Sequence, residues 1–456
     1  MAYCILKSYK LGVDFFRVFE TLKTRKNCFF LDSSKNSYCL GRFSFIGIDP
    51  FYILKSDNAL PFDKLRELLN KYKIPSNKAN PPFLGGAAGF LGYDLGFILE
   101  KKIKKIIPED INIPNFYFAF YNTVIVADNL KKKLFISCLG APEENEISAK
   151  KLACENFKKT EIFLSRIISK DNLTDDIQTT GKVDFNSNFT KKAYLAAVKK
   201  AKEYIKKGDV YQLNLSQRFD AETDSSAFEI YKRLRKISPS SFSAFFDAGD
   251  FQILSSSPER FISFSDGKVS TRPMKGTRPR GENYKEDNLL KKELLESQKD
   301  KAELTMIVDL ERNDLGRVCS YDSIKVTKPR ELEKYSTVYQ TTSTIEGRLF
   351  KSKDRIDLLR ACFPGGSITG CPKIRAMEII EELEPNRRSI YTGSLGYLSF
   401  SGEMDFNILI RTILKKENKI YFGVGGGIVA DSDPKSEYEE TLCKAKAMMK
   451  ALSLKG

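Results

Sequence analysis

The chain has 456 residues, of which 75 are lysine or arginine, 59 are aspartate or glutamate and none is histidine, for a formal net charge of +16. Without histidine the protein cannot use a Ser-His-Asp or Cys-His couple, nor build a histidine-ligated zinc or iron site. Acid–base chemistry must therefore come from carboxylates, lysine, tyrosine or cysteine with shifted pKa values.

The composition, 41% hydrophobic and 29% charged, is typical of a globular protein with two or three domains or one large one. No run reaches the roughly 20 apolar residues that span a bilayer, and the first residues lack a signal-peptide pattern. Nine cysteines without a C-x-x-C spacing predict reduced thiols. We therefore expect a cytoplasmic protein that does not contact a membrane.

The excess positive charge is spread along the chain and interleaved with acids, as in residues 285–301. No RRM, KH or zinc-finger pattern is present. This distribution predicts no nucleic-acid partner and favours attraction of a small anionic substrate.

In chain order, residues 1–140 read as a first domain rich in β-branched and aromatic runs. Within it, strands over 116–126 and 133–138 with a turn between them predict a hairpin. Residues 141–188 are polar, contain an amphipathic helix over 148–169, and are typical of a connector.

A second domain over residues 189–456 opens with a helix. Thr190 is its expected N-cap, an apolar stripe runs from Tyr194 to Ile205, and Gly208 ends the pattern. Further strands and a long helix indicate a mixed α and β domain; the strands are predicted over 210–218, 242–246, 252–256 and 260–264, and the helix over 287–309.

Two pairs of carboxylates are each spaced three residues apart on predicted helices. Asp300 and Glu303 form the first pair, and Glu437 and Glu440 follow a helix start at Pro434. Such pairs are commonly solvated helix faces. Brought together, however, they would offer only hard oxygen ligands, which suit Mg²⁺.

Lys275 lies between prolines and glycines and is flanked by Arg272 and Arg278. Repulsion from these arginines would lower the pKa of Lys275 and make the amine a candidate nucleophile. The alternative is a basic surface loop that binds any anion.

Two glycine-rich segments follow. Residues 363–373 lead into a helix with an apolar stripe and do not match a Walker A loop; they fit either an anion cradle or a helix-capping turn. Residues 421–429 start in a strand and fail the G-x-G-x-x-G pattern, so they fit either a bulge or a close approach to a ligand.

Together, nine segments resemble, in order, the chorismate-utilising enzymes, the family of anthranilate, aminodeoxychorismate and isochorismate synthase large chains. The segments are FFLDSS (29–34), LGRFSFIG (40–47), GGAAGFLGY (85–93), DVYQLNLSQR (209–218), SPER (257–260), PMKGT (273–277), MIVDLERNDLG (306–316), FPGGSITGCPK (363–373) and YFGVGGGIV (421–429). The resemblance implies an α+β fold with a large mixed two-sheet β-sandwich core flanked by helices.

The resemblance also implies a site. Glu303 and Glu440 would bind Mg²⁺ directly, with Asp300 and Glu437 as water-linked helpers, and the metal would hold a carboxylate of chorismate. The remaining residues implied to bind this dianionic substrate are Thr369, Lys373, Tyr391, Arg411, Gly425, Gly427 and Lys444.

Two positions point to a branch of the family. Isochorismate and salicylate synthases carry a water-activating lysine where this chain has Gln212, and anthranilate synthases usually have alanine where it has Lys275. The PMKGT segment resembles the aminodeoxychorismate synthases instead. That branch implies Lys275 as a covalent nucleophile and Glu259 as a proton donor. Anthranilate synthase component I and a non-catalytic chorismate-binding subunit remain the alternatives.

The same resemblance implies partners, because the chain has no glutaminase domain. A separate glutamine amidotransferase subunit would supply ammonia, and an aminodeoxychorismate lyase would act downstream. One departure is Gln340, which stands where many relatives carry histidine. The segment around Leu31, Asp32, Ser33 and Ser44 resembles the part of the first domain that encloses tryptophan in relatives; a plain strand and turn is the alternative.

Overall fold

The computed structural model describes residues 3–35, 40–57, 59–100, 103–104, 106–168, 183–335 and 338–453, and within them it forms 22 strands and 11 α-helices. The strands are β1 (Cys4–Lys10), β2 (Phe29–Asp32), β3 (Phe43–Gly47), β4 (Tyr52–Ser56), β5 (Gly86–Leu91), β6 (Phe116–Tyr121), β7 (Thr123–Asp128), β8 (Lys133–Leu139), β9 (Asn186–Ser187), β10 (Gln212–Glu222), β11 (Phe242–Asp247), β12 (Phe251–Ser257), β13 (Arg260–Ser265), β14 (Lys268–Arg272), β15 (Met274–Pro279), β16 (Lys325–Lys334), β17 (Val338–Arg348), β18 (Gly370–Cys371), β19 (Ser394–Ser399), β20 (Met404–Asn407), β21 (Thr412–Lys416) and β22 (Lys419–Ile428).

The helices are α1 (Phe15–Glu20), α2 (Phe62–Lys71), α3 (Leu95–Leu99), α4 (Glu146–Ile168), α5 (Lys191–Lys206), α6 (Ala227–Ile237), α7 (Tyr284–Glu296), α8 (Gln298–Gly316), α9 (Arg355–Cys362), α10 (Lys373–Leu383) and α11 (Pro434–Ser453). None of the helices described is both long and apolar enough to cross a membrane.

The strands form two antiparallel sheets. The first has 12 strands in the order β1-β8-β7-β3-β2-β11-β12-β21-β22-β10-β18, with β9 paired to β10. The second has 10 strands in the order β15-β17-β14-β13-β20-β19-β5-β6-β4, with β16 paired to β17.

Both faces of these sheets pack against a hydrophobic core, because neighbouring residues on one strand belong to different core clusters. Phe29 and Phe30, which are adjacent on β2, belong to different core clusters, and so do Tyr117 and Phe118 on β6. Successive side chains of a strand point to opposite faces. One cluster therefore fills the space between the sheets, and helices cover the outer faces. The predicted two-sheet sandwich flanked by helices is confirmed.

Strands from both sides of residue 140 build each sheet. In the first sheet, β2 pairs with β11, so Phe30 lies opposite Phe245. In the second, β5 pairs with β19. The predicted first domain and the predicted second domain therefore share both sheets and the core between them.

Several predicted elements need correction. The strand predicted over 116–126 is interrupted at Asn122, and its halves β6 and β7 lie in different sheets; the β7–β8 hairpin is present. The helix predicted over 287–309 is two helices, because Ser297 leaves the helical conformation and its side chain caps α8 by accepting from the Asp300 amide. The Thr190 cap of α5 is confirmed. The helix predicted in the connector is α4, and residues 169–182 of that connector lie outside the described residues.

Candidate active site

The predicted catalytic residues converge where β15 of the second sheet faces β10 and β22 of the first. A Cβ built on Gly427 of β22 would lie 2.3 Å from Gln212 Nε2 and 3.4 Å from Lys275 Nζ. On the other side of β15, a Cβ on Gly276 would lie 3.1 Å from Asp300 Cβ. Lys275 therefore sits between the glycine run of β22 and the N-terminal turn of α8. We call this space, between the two sheets and α8, the cleft.

A bulge in β15 aims Lys275 into this space. The register with β17 shifts between Lys275 and Thr277, and Gly276 at the shift has a φ of 76°, which favours glycine. Burial lowers the pKa of Lys275, and Lys444 lowers it further against the opposing effect of Glu303, Glu259 and Glu440.

The physical cause of this shift differs from the sequence prediction. Arg272 is bound to Glu331 and Glu333, and Arg278 is bound to Glu293 and lies 3.2 Å from Asp300 Oδ2. Carboxylates therefore compensate both flanking arginines. Desolvation in the cleft, rather than the neighbouring arginines, lowers the pKa of Lys275.

Glu259 is buried, with 5% of its surface exposed, on the segment that leads into β13. Burial raises the pKa of Glu259, while Ser367 and Lys275 act in the opposite direction. Its Oε1 atom is buried without a hydrogen-bond partner. Burial thus favours the protonated form, and a carboxyl with an unused oxygen is suited to donating a proton to a bound ligand.

The predicted metal ligands Glu303 and Glu440 lie on α8 and α11. Glu440 accepts an ion pair of 2.7 Å from Lys444, which holds the pKa of Glu440 below its usual value. Burial raises the pKa of Glu303, and Lys275 opposes this effect. The ammonium groups of Lys275 and Lys444 thus compensate the charge of two carboxylates that face each other across the cleft.

These residues fit a magnesium ion. Among the described residues, no three His, Cys, Asp or Glu side chains are close enough to hold a metal by themselves. Mg²⁺ commonly takes one or two protein carboxylates and completes its shell with water and substrate. A Cβ on Gly426 would lie 3.0 Å from Glu437 Oε2 and 3.7 Å from Glu440 Oε1. Because glycine has no side chain, the space between its backbone and these carboxylate oxygens stays open.

The two predicted helpers are partly engaged elsewhere. Glu437 accepts a hydrogen bond of 2.7 Å from the Ser432 hydroxyl. Asp300, in the first turn of α8, faces Gly276 and Arg278. Among the described residues, neither side chain belongs to a group of three potential ligands that could hold a metal ion.

Hydrogen bonds hold the glycine-rich loop of residues 363–373 in place. The Thr369 hydroxyl donates to the Gly365 carbonyl at 3.0 Å, and Thr369 is fully buried. Lys373 Nζ donates to Asp314 at 2.6 Å and to the Cys362 carbonyl at 3.1 Å. In this structure Lys373 therefore ties the loop to α8, and its role in substrate binding stays a prediction.

The other predicted substrate-binding groups line the same region. Lys444 donates to the Gly425 carbonyl at 2.8 Å. The Tyr391 ring lies against Gly423, where a Cβ would be 2.3 Å from Tyr391 Cγ. Burial lowers the pKa of Arg411, although Tyr335, Cys443 and Glu259 favour its charge. A cation in such a position attracts an anion.

Several polar side chains that are not among the predicted site residues have buried atoms without a hydrogen-bond partner. Those around the cleft include Gln212 Oε1, Asn214 Oδ1, Gln340 Oε1 and Ser367 Oγ. Gln212 and Asn214 alternate with the buried leucines of β10, and this period-two polar pattern was the available signal. The side-chain amide nitrogen of Gln340, on β17, donates to Thr277 Oγ1 at 3.2 Å, and Thr277 lies on β15 two residues after Lys275.

A separate cavity of about 310 Å³ lies at the predicted tryptophan segment. Leu31, Asp32 and Ser33 line it, together with aromatic rings from Phe43, Phe45, Phe264 and Tyr397. Ser44 does not line it; its hydroxyl accepts from the Ser33 amide at 3.1 Å and thereby supports the cavity wall.

Comparisons with known proteins agree with this geometry. The family described as chorismate binding enzyme matches residues 26–450. Aminodeoxychorismate synthase component 1 of Bacillus subtilis (strain 168) is 37% identical over 457 residues, covering 97% of this chain and 95% of that protein. Anthranilate synthase component 1 of Acetivibrio thermocellus is 36% identical, covering 96% and 92%. The crystal structure of anthranilate synthase component I from Streptococcus pneumoniae TIGR4 matches with a TM-score of 0.78 and 34% identity, covering 91% and 93%.

The Gly427→Ala variant tests the close packing of β22 on Lys275. The added methyl would displace Gln212 and crowd Lys275, so we expect chorismate turnover to fall by about tenfold or more while the fold is retained. Gly316→Ala is the control, because a Cβ there has no neighbour within 4 Å. Equal turnover by the two variants, measured as loss of chorismate, would contradict the placement of Lys275.

Proposed function

The chain belongs to the family of chorismate binding enzymes, and we propose that within it the protein is the large component of an aminodeoxychorismate synthase. It would convert chorismate and ammonia to 4-amino-4-deoxychorismate. The observation that carries this proposal is Lys275, a desolvated amine of lowered pKa placed between a buried carboxyl, Glu259, and the carboxylates of α8 and α11.

In the proposed first step the neutral amine of Lys275 attacks C2 of chorismate. Both ring double bonds shift, the C4 hydroxyl leaves as water with a proton from Glu259, and the amine then loses a proton to the Glu259 carboxylate. Glu259 is suited to this role because burial raises its pKa and so favours the protonated form.

In the second step ammonia attacks C4, both double bonds shift back, and Lys275 leaves as the amine with a proton that the incoming nitrogen gives up. The sum consumes chorismate and ammonia and yields 4-amino-4-deoxychorismate and water. Two displacements place nitrogen at C4, where a single addition at C2 would not. Gln212, at the position of the water-activating lysine in isochorismate synthases, cannot act as a base, which disfavours water as the nucleophile.

We also propose that Mg²⁺ binds here through Glu303 and Glu440, with Asp300 and Glu437 contributing through water. When bound, the ion would act as a Lewis acid toward the substrate carboxylate. Lys444, bridging Glu440 and the Gly425 carbonyl, would orient the ligand carboxylate and the glycine backbone relative to each other.

Ammonia requires a source outside this chain, because no glutaminase couple can be built without histidine. We propose a separate glutamine amidotransferase subunit as that source. Release of pyruvate to give p-aminobenzoate would fall to a separate lyase, and the enzyme would then serve folate synthesis.

Anthranilate synthase component I is the second candidate, since relatives with that name are nearly as similar as the aminodeoxychorismate synthase. In that case ammonia would add at C2 and pyruvate would leave. The lysine at position 275 favours the first candidate, because addition at C2 needs no covalent amine. The intact Lys275, Glu259 and Glu440 disfavour a non-catalytic subunit.

The product test uses chorismate, Mg²⁺ and ammonium, with mass detection. We expect 4-amino-4-deoxychorismate from the native chain and a loss of about a hundredfold or more in Lys275→Ala, because the variant lacks the group that acts on C2. Lys301→Ala, on the exposed side of α8, is the control. Fluorescent anthranilate as the product, or undiminished turnover by Lys275→Ala, would contradict the assignment.

The metal proposal is tested by Mg²⁺ titration of activity. Glu303→Gln and Glu440→Gln should each raise the half-saturating Mg²⁺ concentration by about tenfold or more, since each removes a charged oxygen donor. Glu296→Gln, an exposed carboxylate on α7, should leave it unchanged. An unchanged Mg²⁺ requirement in both site variants would refute the ligand assignment.

The cavity at Leu31 is proposed to bind tryptophan, because its lining combines aromatic rings with the buried Asp32 and with Arg260. We expect saturable tryptophan binding by calorimetry and its loss in Ser263→Phe, which fills the cavity from β13. Chorismate turnover without tryptophan should persist in this variant. Tryptophan binding that survives the substitution would place the ligand elsewhere.

A further inference from the structure

A second buried carboxyl lies behind the site and has no role in the proposed mechanism. Glu311, on α8, is 9% exposed. It packs against the turn at Gly366, where a Cβ would be 3.4 Å from Glu311 Cγ. The titratable and charged groups that face it are Glu259, Asp314 from its own helix, Lys373 from α10 and Cys362 from α9.

Two contacts of the Thr271 hydroxyl bear on whether the Glu311 carboxyl carries a proton. Thr271 Oγ1 lies 2.6 Å from the Phe261 carbonyl oxygen and 2.8 Å from Glu311 Oε2. A hydroxyl has one proton to donate, and a carbonyl oxygen can only accept. If Thr271 donates to Phe261, its contact with Glu311 is a hydrogen bond only when Glu311 carries the proton.

The Phe261 carbonyl is the closer of the two acceptors. The Thr271 hydroxyl lies 2.6 Å from this carbonyl oxygen and 2.8 Å from Glu311 Oε2. Phe261 is skipped in the register of β13 with β14 and again in the register of β13 with β20, so it sits in a bulge toward both neighbours. The Thr271 hydroxyl therefore supports the backbone at this bulge.

We propose that Glu311 is a positioning residue that works in its protonated form, donating to Thr271 so that Thr271 donates to the bulged Phe261 carbonyl. Phe261 is two residues from Glu259, so this chain of hydrogen bonds fixes the backbone that carries the proposed proton donor. The role at Glu259 rests on the proposed function; the protonation of Glu311 does not.

The surroundings support a neutral Glu311. Burial raises its pKa well above the usual value, Glu259 and Asp314 act in the same direction, and Thr271 and Lys373 oppose them. The Lys373 ammonium is already paired with Asp314 at 2.6 Å. Ionised Glu311 would compete with the Phe261 carbonyl for the one hydrogen bond that the Thr271 hydroxyl can donate.

Infrared difference spectra of the native chain against Glu311→Gln test the protonation directly. We expect the native chain to show the carbonyl stretch of a neutral carboxylic acid at neutral pH, and Glu311→Gln to lack it. Asp309→Asn, which removes an exposed carboxylate from the same helix, should change only a carboxylate band. A carboxylate band in the Glu311 difference spectrum would overturn the proposal.

Kinetics test the positioning role by loss of chorismate, so the result does not depend on which product forms. Glutamine can donate to Thr271 as the neutral acid does, so Glu311→Gln should retain kcat within about threefold. Glu311→Leu and Thr271→Val should each lower kcat by about tenfold with little change in KM. Losses as large in Glu311→Gln as in Glu311→Leu would overturn the positioning role.

Discussion

The site depends on one electrostatic constraint, the placement of two lysines among carboxylates in a cleft without histidine. Lys275 and Lys444 compensate Glu303 and Glu440, and Lys275 also faces Glu259. Because burial penalises charged forms, it lowers the pKa of Lys275 and raises the pKa of Glu259. The arrangement thus shifts Lys275 toward the neutral amine and Glu259 toward the protonated acid.

The two sheets hold these groups in place. Lys275 belongs to the second sheet, whereas Gln212 and the glycine run belong to the first. Strands from the first 140 residues pair into both sheets, so their packing sets the distance between the two halves of the cleft. Glycines at 276, 426 and 427 allow backbone to approach side chains that any Cβ would displace.

Sequence reasoning predicted the sandwich, the cap at Thr190, the helix start at Pro434 and the residues that converge, because these depend on local patterns and on motifs. It did not predict the break at Ser297, where a local cap interrupts a continuous helical pattern, or the split at Asn122, where the two halves join different sheets. It assigned the lowered pKa of Lys275 to Arg272 and Arg278, whose carboxylate partners lie far along the chain. Lys373 was expected at the substrate, and its tie to Asp314 shows why a basic residue in a glycine loop does not by itself reveal its partner.

The covalent role of Lys275 is the central claim, and intact-protein mass spectrometry tests it most directly. The native chain is incubated with chorismate and Mg²⁺ without ammonia or glutamine. The account predicts an adduct with the mass of chorismate less water, mapped to Lys275 and discharged when ammonium is added. An unmodified chain that still converts chorismate once ammonium is supplied, with no adduct trapped before it, would contradict the account.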